Sequence, residues 1–72
     1  MEELWDFRGK TVAILGYRNE GPMVARWLRE QGVHVLIGCN EWWDEWEAAR
    51  RDGFEVYSLE DATAYADVIQ VW

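Results

Sequence analysis

Cysteine, histidine and proline each occur once in this chain of 72 residues, and basic side chains number only seven against fourteen acids. A lone Cys39 permits no internal disulfide and leaves no Cys-x-x-Cys or Cys/His grouping for structural zinc, and with His34 as the only imidazole a metal centre is not expected. The net charge of −7 repels nucleic-acid phosphates, and the scattered Lys and Arg residues form no basic stripe, so nucleic acid is excluded as a partner. The same charge favours encounter with a basic protein, because complementary fields raise association rates. No apolar run approaches the roughly 20 residues that span a bilayer. The acidic start, Met1 to Asp6, lacks the basic and apolar segments of a secretion signal, which by default implies a soluble, cytoplasmic protein.

What the chain has in excess is tryptophan. Trp5, Trp27, Trp42, Trp43, Trp46 and Trp72 are more indole than a core of this size encloses, and each buried indole N–H needs an acceptor. Some must face outward. A domain this short buries only about 60% of the surface its unfolded chain exposes, and a catalytic cleft between domains cannot be built from it.

Hydrophobic periodicity sets out one domain, 1–72, with no repeat or linker. Thr11 to Leu15 is a short apolar run ending in Gly16, as a parallel strand buried on both faces would be. After a loop, Pro22 to Gln31 turns helical: Val24 and Leu28 lie at i and i+4, Ala25 shares their face, and Gly32 is the stop. A second strand runs from Val33 to Ile37. Asn40 is expected to cap a helix from about Glu41 to Arg51, with acids toward its positive end and Arg50 and Arg51 toward its negative end. Phe54 to Tyr57 reads as a third strand, Ser58 as the cap of a short helix to about Tyr65, and Val68 to Val71 as a fourth strand. Right-handed crossovers then predict an α/β, half-Rossmann, three-layer domain: a four-stranded parallel sheet of order 3-2-1-4 with helices on both faces.

The first strand-to-helix turn carries the chemistry. In a dinucleotide-binding turn the first glycine makes the bend, the second lets the backbone reach the pyrophosphate, and the third lets helix and strand pack closely. Gly16 and Gly21 occupy the first and third positions, and Arg18 the second. Arg18 also offers a guanidinium through which a phosphate could be held beside the helix N-terminus. Glu41, about 20 residues beyond Gly21, lies roughly where an acid holds an unphosphorylated ribose, although near a helix start an acid more often serves the dipole.

The run Gly9-Lys10-Thr11-Val12-Ala13-Ile14-Leu15-Gly16-Tyr17 resembles the N-terminal, NADPH-binding domain of ketol-acid reductoisomerase. So do Leu28-Arg29-Glu30, Gly32-Val33, Val35 to Gly38, Trp46, Asp52 to Val56 and Ala66 to Ile69, in an ungapped register from about residue 7 to residue 71. The resemblance implies a chain cut short of the rest of the nucleotide domain and of the helical domain that supplies the family's magnesium-binding acids. No catalytic residue is therefore carried over, and the chain is not expected to be an enzyme. In that family the loop reads approximately Gly-Tyr-Gly-Ser-Gln-Gly-His, and an arginine and serines follow the second strand to hold the 2′-phosphate. Arg18, Asn19, Glu20 and Pro22 replace the loop residues, and Asn40, Trp43 and Glu45 replace the phosphate ligands. Those replacements predict that the NADPH site is lost and that no cofactor is bound, with Gly16 and Gly21 vestigial.

The substitutions gather at the ligand edge of the sheet. Arg18, Met23, Trp27, Trp42, Trp43 and Trp72 are the candidate protein-binding residues, of types that interfaces enrich. They predict an engineered, non-catalytic binding module, an inhibitor if its basic partner is an enzyme. Two alternatives stand beside it: a minimal NAD or NADP domain, and a self-associating scaffold in which fourth strands pair edge to edge, burying Trp72. Trp46 is expected to pack its helix on the sheet, Cys39 to be a packed small hydrophobe, and His34 to lie at the edge opposite the site.

Overall fold

Four short strands, three of them rich in Val, Ile and Leu, form one parallel sheet in the computed structural model, which describes residues 9–71. In chain order the elements are β1 (Thr11–Leu15), α1 (Gly21–Glu30), β2 (His34–Gly38), α2 (Asp44–Arg51), β3 (Glu55–Tyr57), α3 (Leu59–Tyr65) and β4 (Val68–Val71). The sheet order is β3-β2-β1-β4, as the alternation of strand and helix predicts. Ile14 pairs with Ile37 on one side and Gln70 on the other, which places β1 at the centre.

Alternation along the central strands divides the core in two. Val12, Ile14, Val35 and Ile37 face α1 and α2, where they pack with Ala25, Leu28 and Ala49, and half-buried Trp46 closes this layer as expected. Ala13 and Leu36 face α3 and meet Ala62. A single short helix covers this second face, and its shelter does not reach β4. Ile69 and Val71 share the face of Ala13 and Leu15 by register, yet remain 47% and 76% exposed.

Gly38 explains how closely α3 approaches. A Cβ there would lie 2.7 Å from the Ala62 Cβ and 2.9 Å from a Leu15 methyl carbon, so only a residue without a side chain lets the helix settle on the strand ends.

The expected start of α2 is corrected by the structure. Asn40 caps no helix: its carbonyl accepts the Trp43 N–H at 3.1 Å in a turn, and α2 begins at Asp44 with Trp43 in the cap position and no side-chain cap. Asp44, Glu45 and Glu47 fill the first turn, where the helix dipole favours acids most. Trp42 and Trp43 therefore lie in the approach to the helix. Ser58 does cap α3, its Oγ accepting the Asp61 N–H at 3.1 Å.

Candidate functional site

Strand order reverses between β1 and β4, where a parallel sheet opens a crevice at its carboxyl edge. Gly16 leaves the end of β1 at φ +100°, a left-handed conformation that glycine adopts without a Cβ penalty, and its N–H donates to the Gly38 carbonyl at 2.8 Å. The chain then turns through Arg18 and Asn19, and the Gly21 N–H donates to the Arg18 carbonyl at 3.0 Å where α1 starts. Gly16 and Gly21 are both buried in this turn. The turn thus runs from the crevice to the start of the ten-residue helix α1, the positive end of its dipole.

An open cleft of about 400 Å³ lies there, lined by Leu15, Gly16, Arg18, Trp43, Glu45, Leu59 and Val71. Leu15, Leu59, Val71 and the Trp43 indole give it apolar walls, while Arg18 and Glu45 are its charged groups. Glu45 is only 8% exposed. One carboxylate oxygen accepts the Tyr17 N–H at 2.8 Å, and the other pairs with Arg18 Nε. The guanidinium carbon also stands 5.6 Å from the centre of the Trp43 ring, within cation–π range. Trp43 and Glu45, at the start of α2, are thereby drawn onto the turn that carries Tyr17 and Arg18.

Tyr17 fixes the turn from beneath. Its ring is buried edge-on to Phe54, centroids 5.9 Å apart, and its O–H donates to the Asp52 carboxylate after the end of α2. Burial, then the Asp52 hydrogen bond and charge, push the phenol up to about 12. Arg29 adds a guanidinium 4.1 Å from the Phe54 ring centre and a 3.0 Å hydrogen bond to the Asp52 carbonyl.

Of the residues singled out in the sequence, Gly16, Arg18 and Trp43 meet in this cleft. Trp42, 81% exposed, stands over a separate hollow of about 360 Å³ with Asn40, Glu41, Trp46 and Tyr57 among its walls. Met23 and Trp27 are exposed on α1 and line neither cavity. Trp72 and Trp5 lie outside the described residues. Glu45 was legible only as a repulsive charge, and its bonding to the turn was not. Leu59 and Val71 were missed as cleft walls, although each sits at the carboxyl edge of the sheet where the topology would have pointed.

The remaining polar residues have local explanations. His34 lies at the amino edge, 3.2 Å from Thr11 Oγ1 and 3.0 Å from a Glu55 carboxylate oxygen, and its hydrogen bond holds the Glu55 carboxyl below its ordinary value. Cys39 is wholly buried, its thiol pushed up to about 11 by burial and then by the nearby Glu45 charge, as suits a packed side chain. Among the described residues no group of three His, Cys, Asp or Glu side chains could hold a metal ion, and no helix is long and apolar enough to cross a membrane.

The turn suits a phosphate. Among the described residues the amides of Arg18, Asn19 and Glu20 have no protein acceptor, and the Arg18 side chain is 63% exposed at the cleft mouth.

Residues 6–72 match the family model for the NADPH-binding domain of acetohydroxy acid isomeroreductase. Ketol-acid reductoisomerase (NADP(+)) of Pyrococcus abyssi is 42% identical over 64 residues, 89% of this chain and 19% of the relative. The enzyme of the same name from Pyrobaculum calidifontis is 47% identical over 64 residues, 89% of this chain and 20% of the relative. A crystal structure described as a D-3-phosphoglycerate dehydrogenase oxidoreductase from Ralstonia solanacearum superposes with a TM-score of 0.79 at 37% identity, covering 92% of this chain and 19% of that one. The chain spans about a fifth of the length of these proteins.

These matches correct the expectation that no cofactor is bound. The family model is that of an NADPH-binding domain, and the structural neighbour is described as a dehydrogenase. The physical reason lies in Arg18: replacing the middle glycine leaves the bend at Gly16 and the start of α1 intact and lines the cleft with a cation.

Proposed function

The chain belongs to the ketol-acid reductoisomerase family, by its match to that family's NADPH-binding domain, and from that premise we propose that it holds a nicotinamide dinucleotide at the carboxyl edge of its sheet. The cleft at the β1/β4 switch point, with Gly16 and Arg18 of the turn before α1 among its walls, is the observation that carries the reading. The Arg18 guanidinium would face the pyrophosphate, and Trp43, Leu59 and Val71 give apolar walls of the kind a ring system packs against. The dinucleotide carries the hydride, and the protein contributes binding and orientation. The role proposed for these 72 residues is binding rather than turnover.

Calorimetric titration of NADPH and NADH into the purified chain tests this. Saturable one-site binding of either is expected. Absence of binding by both at millimolar concentration would overturn it.

A second reading rests on the exposure of Trp42, Trp27 and Met23, at 81%, 50% and 62%. With the net charge of −7 they would suit a basic protein partner, and the bare Ile69 and Val71 beside the β4 edge would suit a second copy. Sedimentation velocity across a concentration series separates the two: a dimer that dissociates on dilution supports the second copy. The relatives give no support to the engineered-inhibitor form of this reading.

A further inference from the structure

We propose that Arg18 is the phosphate ligand of the cleft and that Glu45 is its internal counter-ion, a carboxylate already seated where it competes with the phosphate for the same guanidinium. This deepens the nucleotide-binding reading and rests on it.

The chemistry follows from which nitrogens are used. A guanidinium carries five N–H donors in a planar fork. Glu45 takes the one on Nε. The two Nη groups carry the other four, which is the pair that binds a phosphate through two parallel hydrogen bonds. Arg18 is 63% exposed at its side chain while the Glu45 side chain is 10% exposed, so the pair has one face against the protein and one toward the cleft. Glu45 cannot leave readily, because its second oxygen holds the Tyr17 N–H at 2.8 Å. Contact of the cation with the Trp43 ring further limits where the fork can point.

Position and charge act in opposite directions. Glu45 holds Arg18 beside the turn in place of the backbone approach a middle glycine would allow. Its negative charge, taken close to an incoming phosphate in the cleft, also weakens the binding that Arg18 makes possible. Because the Trp43 contact and the turn still restrict Arg18 when that charge is removed, repulsion outweighs positioning.

NADPH affinity of the full chain, measured by calorimetry for the parent, R18A, R18K, E45Q and the double variant R18A/E45Q, tests the assignment, with circular dichroism as the control for folding. R18A should bind at least about tenfold more weakly, the scale of a lost hydrogen bond to a charged group. R18K, which keeps the charge without the fork, should recover part of that loss. E45Q keeps an oxygen for the Tyr17 N–H and should bind NADPH, and NADH measured beside it, which has no 2′-phosphate, a few-fold more tightly, a gain that a purely structural Glu45 could not produce. The double variant has no unpaired buried carboxylate, so it reports on Arg18 even if R18A alone folds poorly; it should bind more weakly than E45Q. Unchanged affinity in R18A and in the double variant would overturn the role of Arg18, and weaker binding by E45Q would overturn that of Glu45, with the nucleotide site itself still standing. No NADPH binding by the parent chain would instead remove the nucleotide reading and this inference with it.

Discussion

The N–H of Tyr17 donates to Glu45 at 2.8 Å across 28 residues of sequence, tying the turn after β1 to the first turn of α2. The contact is buried, so removing the acceptor leaves an amide with nothing to replace it. Glu45→Ala should cost about 1–3 kcal/mol, the usual penalty for a buried unsatisfied donor. Urea denaturation at neutral pH reads this, and an unchanged midpoint would show that water reaches the amide.

Tyr17 also links stability to pH. Its phenol is raised from 10.0 to about 12 by burial and by Asp52, so the neutral form is favoured in the folded state. For an acid raised on folding, the stabilisation is complete below the unfolded value and fades as pH climbs through the folded one. The parent chain should therefore lose stability between about pH 10 and 12 relative to Tyr17→Phe. At neutral pH that variant should be about 0.5–1.5 kcal/mol less stable for want of the hydrogen bond to Asp52. Urea midpoints of both proteins at pH 8 and above pH 10 give the comparison; parallel curves would contradict it.

Gly38→Ala should destabilise by roughly 1–3 kcal/mol, the range for overpacking a core. The added methyl would meet the Ala62 Cβ at 2.7 Å, which is fixed to the α3 backbone and cannot rotate away. A thermal melt measures the effect, and a melting point equal to that of the parent would mean that α3 shifts freely.

Two tryptophans four residues apart should respond differently. Trp42→Ala, at an 81% exposed position, should change stability by no more than about 0.5 kcal/mol. Trp46→Ala should cost about 3 kcal/mol, since its indole packs on the core formed by the sheet, α1 and α2. Equal losses in denaturant midpoints would place Trp42 in the core as well.

Local patterns made the scaffold legible. The bounds of β1 and β4 follow from apolar runs closed by a glycine or a turn, and the order β3-β2-β1-β4 follows from alternating elements joined by right-handed crossovers. The start of α2 was less legible because Asn40 and Asp44 both carry helix-start signals, and the three acids near Asp44 prevailed. The site was legible in part, through Gly16, Arg18 and Trp43, which meet in the cleft. Glu45 reads from sequence as a charge that repels phosphate, because its bonds to Tyr17 and Arg18 exist only once α2 lies beside the first turn. Arg18 reads from sequence both as a glycine lost and as a guanidinium open to a phosphate, and the fold places that cation at the mouth of the cleft.

The most direct test is to map NADPH onto the backbone amides by ¹⁵N–¹H NMR during a titration. Saturating shifts concentrated at Gly16, Arg18, Gly21, Glu45, Leu59 and Val71 are the expected result. Spectra that do not change, or shifts confined to the hollow beside Trp42 and Asp61, would contradict a dinucleotide site at the β1/β4 switch point.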